Sequence, residues 1–423
     1  MAKLRTVKGM NDVLPGEIER WHRLEQAFRD RAERYGFAEV RTPLVEHTEL
    51  FERGIGEATD IVDKEMYTFT DKAGEGKSGK RLTLRPEGTA SCVRAYLQHN
   101  VQGQEPVTKW YYLGPMYRRE RPAKGRYRQF YQAGCEVYGD PGPYVDAELI
   151  DMLVGLLGEL GVRDVEVLIN SLGGATTRTR YREALLAYLR PRAAELSEDS
   201  QRRLERNPLR VLDSKAPQDQ EIAAGAPRVL DFLSDEDAAH FDGLRATLDA
   251  LGTPYTVEPR LVRGLDYYTR TLFEVRGRGG ELGAQNALCG GGRYDDMIAQ
   301  LGGKPTPAIG FALGIERLLL AMGPADAEAG LDAFLAAQRP EDRPAVLVLA
   351  RTLREAGLRV ETDLRGNSLK SQLRRADKSG ARFAVVLGEA EQTQGTAKVT
   401  DLRQQNAERR EIPQAELVEA LRA

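Results

Sequence analysis

Cysteine, histidine and long apolar runs are all scarce in this chain, and each scarcity removes a class of protein. Three cysteines, Cys92, Cys135 and Cys289, lie far apart in 423 residues with no CxxC pair, which leaves no disulfide framework to read. Four histidines, His22, His47, His99 and His240, have no metal-ligand spacing, so no zinc site is indicated. No segment approaches the ~18 consecutive apolar residues of a membrane span. The opening MAKLRTVKGMNDVLPGE lacks the apolar centre of a secretion signal. A cytoplasmic protein with no membrane partner is expected. Excess charge is also missing: the formal net charge is −3, so a nucleic-acid partner would be held by local basic patches rather than by the overall field. What is present, 41% hydrophobic and 30% charged residues, fits a globular chain of two or three domains.

Periodicity divides the chain. Trp21, Leu24, Phe28, Ala32 and Tyr35 have helical spacing between Glu17 and the stop at Gly36. Phe37 to Leu44, containing Arg41-Thr42-Pro43, reads as a strand whose proline suits an edge or interface. Leu149 to Leu160 reads as a second amphipathic helix and Val162 to Asn170 as a strand. Between about 173 and 252 the pattern turns charged and Ala/Leu-rich with few β-branched residues, which predicts an all-helical insertion. Strand-and-glycine character returns at Tyr255 and lasts to Gly323, and GPADAEAG at 323–330 reads as a linker. Beyond it, short apolar strands alternate with helices near 344–355 and 368–379 as a compact α/β domain.

The residues from Tyr117 to Glu136, YRRERPAKGRYRQFYQAGCE, read as an antiparallel hairpin closed by a Pro/Gly/Lys turn. Counting by twos puts Arg126, Arg128, Phe130, Gln132 and Glu136 on one face and Tyr127, Tyr131, Ala133, Cys135 and Val137 on the other. Guanidinium, ring, amide and carboxylate in a row suit a ligand with a polyphosphate, a flat base and an ammonium group, a description that fits ATP beside an amino acid. A solvated charged hairpin is the alternative. In TLRPEGT (83–89), Glu87 lies in a strand-to-helix turn with Gly88 and Thr89, where it could hold an ammonium group or cap the helix. Arg263, Asp266, Tyr267 and Tyr268 in RGLDYYTRT form a polar cluster of a kind that a core has little use for. The glycines of CGGGRY (289–294) allow a close backbone approach to a ligand or make a tight turn. In AIGFALGIER (308–317), Arg317 is a lone cation in an apolar run that a phosphate would satisfy; a core helix is the bland reading. Gly76-Lys77-Ser78 imitates a phosphate-binding loop, but Asp71 stands where the required glycine would be.

Together these segments resemble the class II aminoacyl-tRNA synthetases, specifically the histidyl-tRNA synthetase family. GPMYRRERPAKGRYRQFYQAGCE is similar to that family's motif 2 and GFALGIERL to its motif 3. TLRPEGT and RGLDYYTRT look like its histidine-site signatures. The stretch around Arg41-Thr42-Pro43, a weaker match, lies where motif 1 would supply a dimer interface. The resemblance covers nearly the whole chain and implies an α+β fold. Its parts would be an antiparallel-sheet catalytic domain over 1–325, with the helical insertion at about 173–252, and an anticodon-binding α/β domain over 331–423. It implies ATP as substrate, Mg2+ bridging phosphate oxygens with no protein ligand assigned, and L-histidine, tRNA(His) and a second copy in a homodimer as partners. Arg118 and Arg263 would act on the α-phosphate and substrate carboxylate, Arg126 and Arg317 on the outer phosphates, and Phe130 on the adenine. Glu87, Thr89 and Gln132 would hold the ammonium group, Glu136 and Tyr268 would address the imidazole nitrogens, and Gly88 and Tyr267 would complete the histidine pocket. No HIGH or KMSKS signature of class I is present. The non-catalytic regulatory paralogue of ATP phosphoribosyltransferase shares the catalytic fold and is the alternative reading.

Overall fold

The arginine-bearing segment does turn back on itself. Thr108–Tyr117 pairs antiparallel with Gln129–Tyr138, from Thr108 opposite Tyr138 to Tyr117 opposite Gln129. The computed structural model describes all residues except 1–2, 57–58, 72–78, 279–285, 324–329, 364, 405–407 and 423. The Gly76-Lys77-Ser78 turn and most of the 323–330 linker lie outside the described residues. By internal contacts the chain divides into Met1–Pro324 and Ala325–Ala423.

In the first unit the hairpin belongs to an eight-stranded sheet. Its spatial order is Ala38–Glu39, Thr108–Tyr117, Gln129–Tyr138, Ala308–Gly314, Ala287–Arg293, Thr269–Gly277, Val165–Ser171 and Thr256–Val257. The six central strands are antiparallel, and only the two outermost pairings are parallel. The period-2 pattern sorts the faces. Tyr131, Ala133, Cys135 and Val137 enter a core shared with helices Ile18–Arg34 and Pro143–Glu159. The first helix buries Trp21, Leu24, Phe28 and Ala32 as one stripe and gives way at Gly36, whose φ of +78° suits glycine. All three cysteines are buried thiols.

Three local expectations change. Phe37 to Leu44 is not a continuous strand: Ala38–Glu39 pairs with the main sheet, while Val45–His47 joins a separate three-stranded sheet with Arg81–Leu84 and Tyr67–Thr70. Pro43, which has no N–H to give a ladder, lies in the break. The insertion is helical from Ala175 to Leu251, but only its earlier part builds a core of its own, around Tyr181, Leu185, Leu189, Val211 and Val229. Its last helix, Asp235–Leu251, puts Phe241, Leu244 and Leu248 into the main core. The CGGGRY glycines are no turn; they lie in a central strand, Ala287–Arg293. A Cβ on Gly291 would stand 2.1 Å from the Gly310 carbonyl oxygen, and one on Gly292 2.4 Å from that of Thr271, so both neighbouring backbones require the bare strand.

The second unit is a five-stranded sheet ordered Val360–Thr362, Ala333–Ala337, Phe383–Leu387, Thr396–Asp401, Arg410–Pro413. The first three strands are parallel and the last two pairings antiparallel. Helix Arg343–Glu355 buries Val346, Leu349, Ala350 and Leu353 against it. Of the basic residues near helix Leu369–Lys378, Arg365, Lys370, Arg374 and Lys378 are exposed. Arg375, by contrast, pairs with Glu361 and lies over the Phe334 ring.

The bare strand generates a stability contrast. Gly291→Ala should lower the midpoint of thermal unfolding by roughly 5 °C or more, since the clash is with backbone rather than a movable side chain. Gly158→Ala, in a helix with open space at its Cβ, should leave the midpoint unchanged or raise it. An unshifted Gly291→Ala transition would mean that the neighbouring strands yield.

Candidate active site

On the sheet face opposite that helical core lies a cavity of about 380 Å³. Arg118, Arg126, Phe130 and Gln132 reach it from the hairpin, Glu87 and Thr89 from the 86–89 turn, Arg263, Tyr267 and Tyr268 from the loop before Thr269, and Arg317 from the helix after Gly314. Ten of the twelve site residues expected from sequence are therefore wall residues. The other two stand behind the wall. Gly88 is packed under Tyr112, whose ring carbon a Cβ would meet at 2.3 Å. Glu136 is fully buried: Thr89 Oγ1 donates to its Oε1 at 2.7 Å, and the Tyr294 hydroxyl donates to its Oε2.

One end of the cavity is cationic. The proton affinity of Arg317 is lowered first by burial and then by the positive charges of Arg118, Arg126 and Arg263. Each is held. Arg118 donates from Nε to the Pro86 carbonyl at 2.9 Å and lies 5.2 Å above the Phe130 ring centroid. Arg126 pairs with Glu120 and, at 3.6 Å, with Glu65. Arg263 pairs with Glu274 and rests on Gly290, where a Cβ would fall 2.5 Å from its Cζ. Arg317 donates to the carbonyls of Gly125 at 2.9 Å and Ala287 at 3.0 Å. Such an array is preorganised for a polyanion.

The other end is neutral to acidic and aromatic. The Tyr267 ring stands 4.7 Å from that of Tyr268 and 5.6 Å from that of Tyr294. Gln132 Oε1 is buried and meets no donor among the described residues, an acceptor that a ligand N–H would satisfy. Glu87 accepts the backbone N–H groups of Thr89 and Ala90, both at 2.8 Å. It is thus a helix cap and a cavity wall at once, so the two readings of this carboxylate do not compete. Burial raises its pKa. For Glu136 burial outweighs the two donated hydroxyls and pushes the carboxyl up to about 8.

Sequence reasoning gave no role to Glu65, Glu120, Asp213, Glu274 or Tyr294. The signals differ. Glu120 sits between arginines in the quoted hairpin, and Tyr294 ends the glycine run. Asp213 comes from the insertion and has no local mark, and Glu274 looks like one more residue of an apolar strand.

An antiparallel sheet that aims four arginines at one end of a cavity and polar and aromatic side chains at the other suits a polyanion beside a small polar ligand, the arrangement expected of the class II aminoacyl-tRNA synthetase type. Comparison with known proteins narrows the class. Residues 9–318 match the histidyl-tRNA synthetase family profile and residues 335–423 the anticodon binding domain profile. The chain is 59% identical over 400 residues to the histidine–tRNA ligase of Sorangium cellulosum (strain So ce56), covering 95% of this chain and 92% of that protein. Its structure is similar to that of apo S. aureus histidyl-tRNA synthetase, with a TM-score of 0.82, 35% identity and complete coverage of both chains. It also shares the fold of the enzyme from Nostoc sp. PCC 7120, at a TM-score of 0.69 and 20% identity over 99% of each chain. The chain belongs to the histidyl-tRNA synthetase family.

The buried Glu136 carboxyl has a measurable signature. Its folded-state pKa of about 8 lies above the ordinary value of 4.5, so the unfolded chain gives up this proton first. The stabilisation is complete below pH 4.5 and is lost as pH rises toward 8, at up to about 1.4 kcal/mol per pH unit. Glu136→Gln lacks this titration. Its thermal midpoint should gain on that of the wild type as pH goes from 5 to 8, and parallel midpoint curves would contradict the buried proton.

Proposed function

We infer that this chain ligates L-histidine to tRNA(His) in two steps at this cavity. The histidine carboxylate attacks the α-phosphorus of ATP, forming histidyl-adenylate and releasing pyrophosphate. A ribose hydroxyl of the tRNA's terminal adenosine then takes the acyl group and AMP leaves. The observation that carries the reading is one cavity with a cationic end and a polar, aromatic end, in a chain of this family. Neither step needs a nucleophile from the protein. In-line alignment and preorganised positive charge over the phosphorus supply the rate.

In this reading Arg118 and Arg263 flank the α-phosphate and the substrate carboxylate, Arg126 and Arg317 hold the outer phosphates, and Phe130 stacks the adenine. Glu87, Thr89 and Gln132 take the ammonium group. Tyr268 and, across the Thr89 and Tyr294 hydroxyls, Glu136 address the imidazole nitrogens, with Tyr267 and Gly88 shaping the pocket. Mg2+ would enter on the polyphosphate and screen its charge, beside Glu120 and Glu274, the carboxylates next to the arginines. A site of matched polar groups rejects isosteric amino acids, because an unpaired buried donor or acceptor is costly. The working form is a cytoplasmic homodimer. Support for the dimer is the exposure of Leu44, Val45 and Phe69 on and beside the small sheet that follows Pro43. The anticodon-domain match over 335–423 supports an RNA-reading role for the second unit and speaks against the regulatory paralogue.

ATP–pyrophosphate exchange with each of the twenty amino acids should proceed with histidine alone. Comparable exchange with another amino acid would overturn the histidine assignment, and none from folded protein would favour the regulatory reading. Arg263→Ala should lower the single-turnover adenylation rate by roughly two or more orders of magnitude, and an unchanged rate would remove its role on the phosphate. A chain ending near residue 325 should keep histidine-dependent exchange while losing most of its aminoacylation efficiency. Equal kcat/KM for tRNA in the short and full chains would mean that 331–423 does not read the anticodon.

A further inference from the structure

The loop from Arg263 to Arg270 supplies five cavity-wall residues, among them Arg263, Tyr267 and Tyr268, and has no regular secondary structure before Thr269. Something else must fix its shape. At its far end, Arg270 has a φ of +33°, a conformation that costs a non-glycine residue energy and persists only where surroundings enforce it. The stem of the insertion enforces it: Arg270 N donates to the Gly173 carbonyl at 3.0 Å, its carbonyl accepts Leu172 N at 2.7 Å, and its guanidinium binds Asp237 at 3.1 Å.

At the near end the insertion reaches back a second time. Asp266 Oδ1 accepts Asn207 Nδ2 and Arg210 Nη2, both at 2.8 Å, and Arg210 Nη1 donates to the Arg263 carbonyl at 3.2 Å. One guanidinium thus bridges two loop positions three residues apart and fixes the curve between them. It is largely shielded from water, its side chain being 10% exposed, so the contact is more than a screened surface pair. Close by, Arg203 of the same segment pairs with Asp60 at 2.8 Å, and Asp213 enters the cavity wall.

We propose that Arg210, assisted by Asn207, is a positioning residue for histidine activation: from the insertion it sets the curvature of the loop that presents Arg263, Tyr267 and Tyr268. The proposal rests on the histidine-activating reading of the cavity. Arg210 itself is not among the cavity-wall residues. Its effect falls on the histidine side, because the Arg263–Tyr268 loop carries the tyrosines, whereas Phe130, Arg126 and Arg317 come from other elements.

The test is steady-state ATP–pyrophosphate exchange by the full chain, varying histidine and ATP separately, for wild type, Arg210→Ala, Arg210→Lys, Asn207→Ala, Asp266→Ala and the Arg210→Ala/Asp266→Ala double variant. Arg210→Ala should raise the histidine KM and lower kcat, for a loss of kcat/KM of about 10-fold or more, with the ATP KM within about 3-fold of wild type. Asn207→Ala should shift the same parameters less, and Arg210→Lys should recover part of the loss. The double variant should be no worse than its more severe single parent, the mark of one shared contact. Wild-type histidine parameters in Arg210→Ala, equal shifts in both KM values with a lowered thermal midpoint, or additive losses in the double variant would each overturn the proposal. If Arg210→Ala does not fold, Asn207→Ala, which keeps the guanidinium, decides by the same criteria. Absence of histidine-dependent exchange in the wild type would overturn the proposed function itself, and the two failures are thereby distinct.

Discussion

Two unit charges 4 Å apart repel by about 4 kcal/mol at an effective dielectric of 20, so gathering four arginines on one cavity wall needs a restoring force from the protein. Here it comes from two sources. Glu120 and Glu65 answer Arg126 and Glu274 answers Arg263, while Arg118 and Arg317 are tied to backbone carbonyls. The carbonyl partners cancel little charge and mainly fix direction; the carboxylates cancel charge but are themselves movable. On the proposed function, a polyphosphate entering this site would meet guanidiniums already aimed and would exchange carboxylate partners for phosphate oxygens at Arg126 and Arg263. That is the physical content of preorganisation here. It also explains why the surrounding sheet must be so exact, since Arg263 sits on Gly290 and that strand is squeezed between two others.

The hairpin was legible because alternation is a strong local signal: Tyr131, Ala133, Cys135 and Val137 went to the core and Phe130, Gln132 and Glu136 to the other face as spacing requires. Gln132 and Tyr268 could be named as wall residues for the same reason, their segments being polar where a bland fold needs none. Glu136 shows the limit of that logic. Alternation fixes the face of a side chain but not whether Thr89 and Tyr294, from distant parts of the chain, stand between it and the cavity. The glycine strand shows another limit. Three glycines in a row favour a turn on local propensity, and only the nearness of the Gly310 and Thr271 carbonyls reveals that a central strand needs them.

Asp213 and Arg210 mark what sequence could not supply at all. Both lie in the insertion, where charged residues are common and most face solvent, so nothing in their neighbourhood separates a residue bound to Asp266 from one bound to water. The insertion's closing helix is similarly ambiguous: its composition matches the rest of the insertion, yet Phe241, Leu244 and Leu248 complete the main core. Tertiary contact, rather than propensity, assigns it there.

The carboxyl of Glu136 lies across the neighbouring strand only because Gly310, its partner in the ladder, has no side chain; a Cβ there would fall 1.8 Å from Glu136 Oε2. The same Cβ would fall 2.7 Å from the Cys135 carbonyl oxygen, so backbone as well as carboxyl bars a side chain at position 310. A lineage that shortens the glutamate therefore opens a void that its ladder partner cannot fill, and any new packing for a different substrate must be recruited from elsewhere around the pocket.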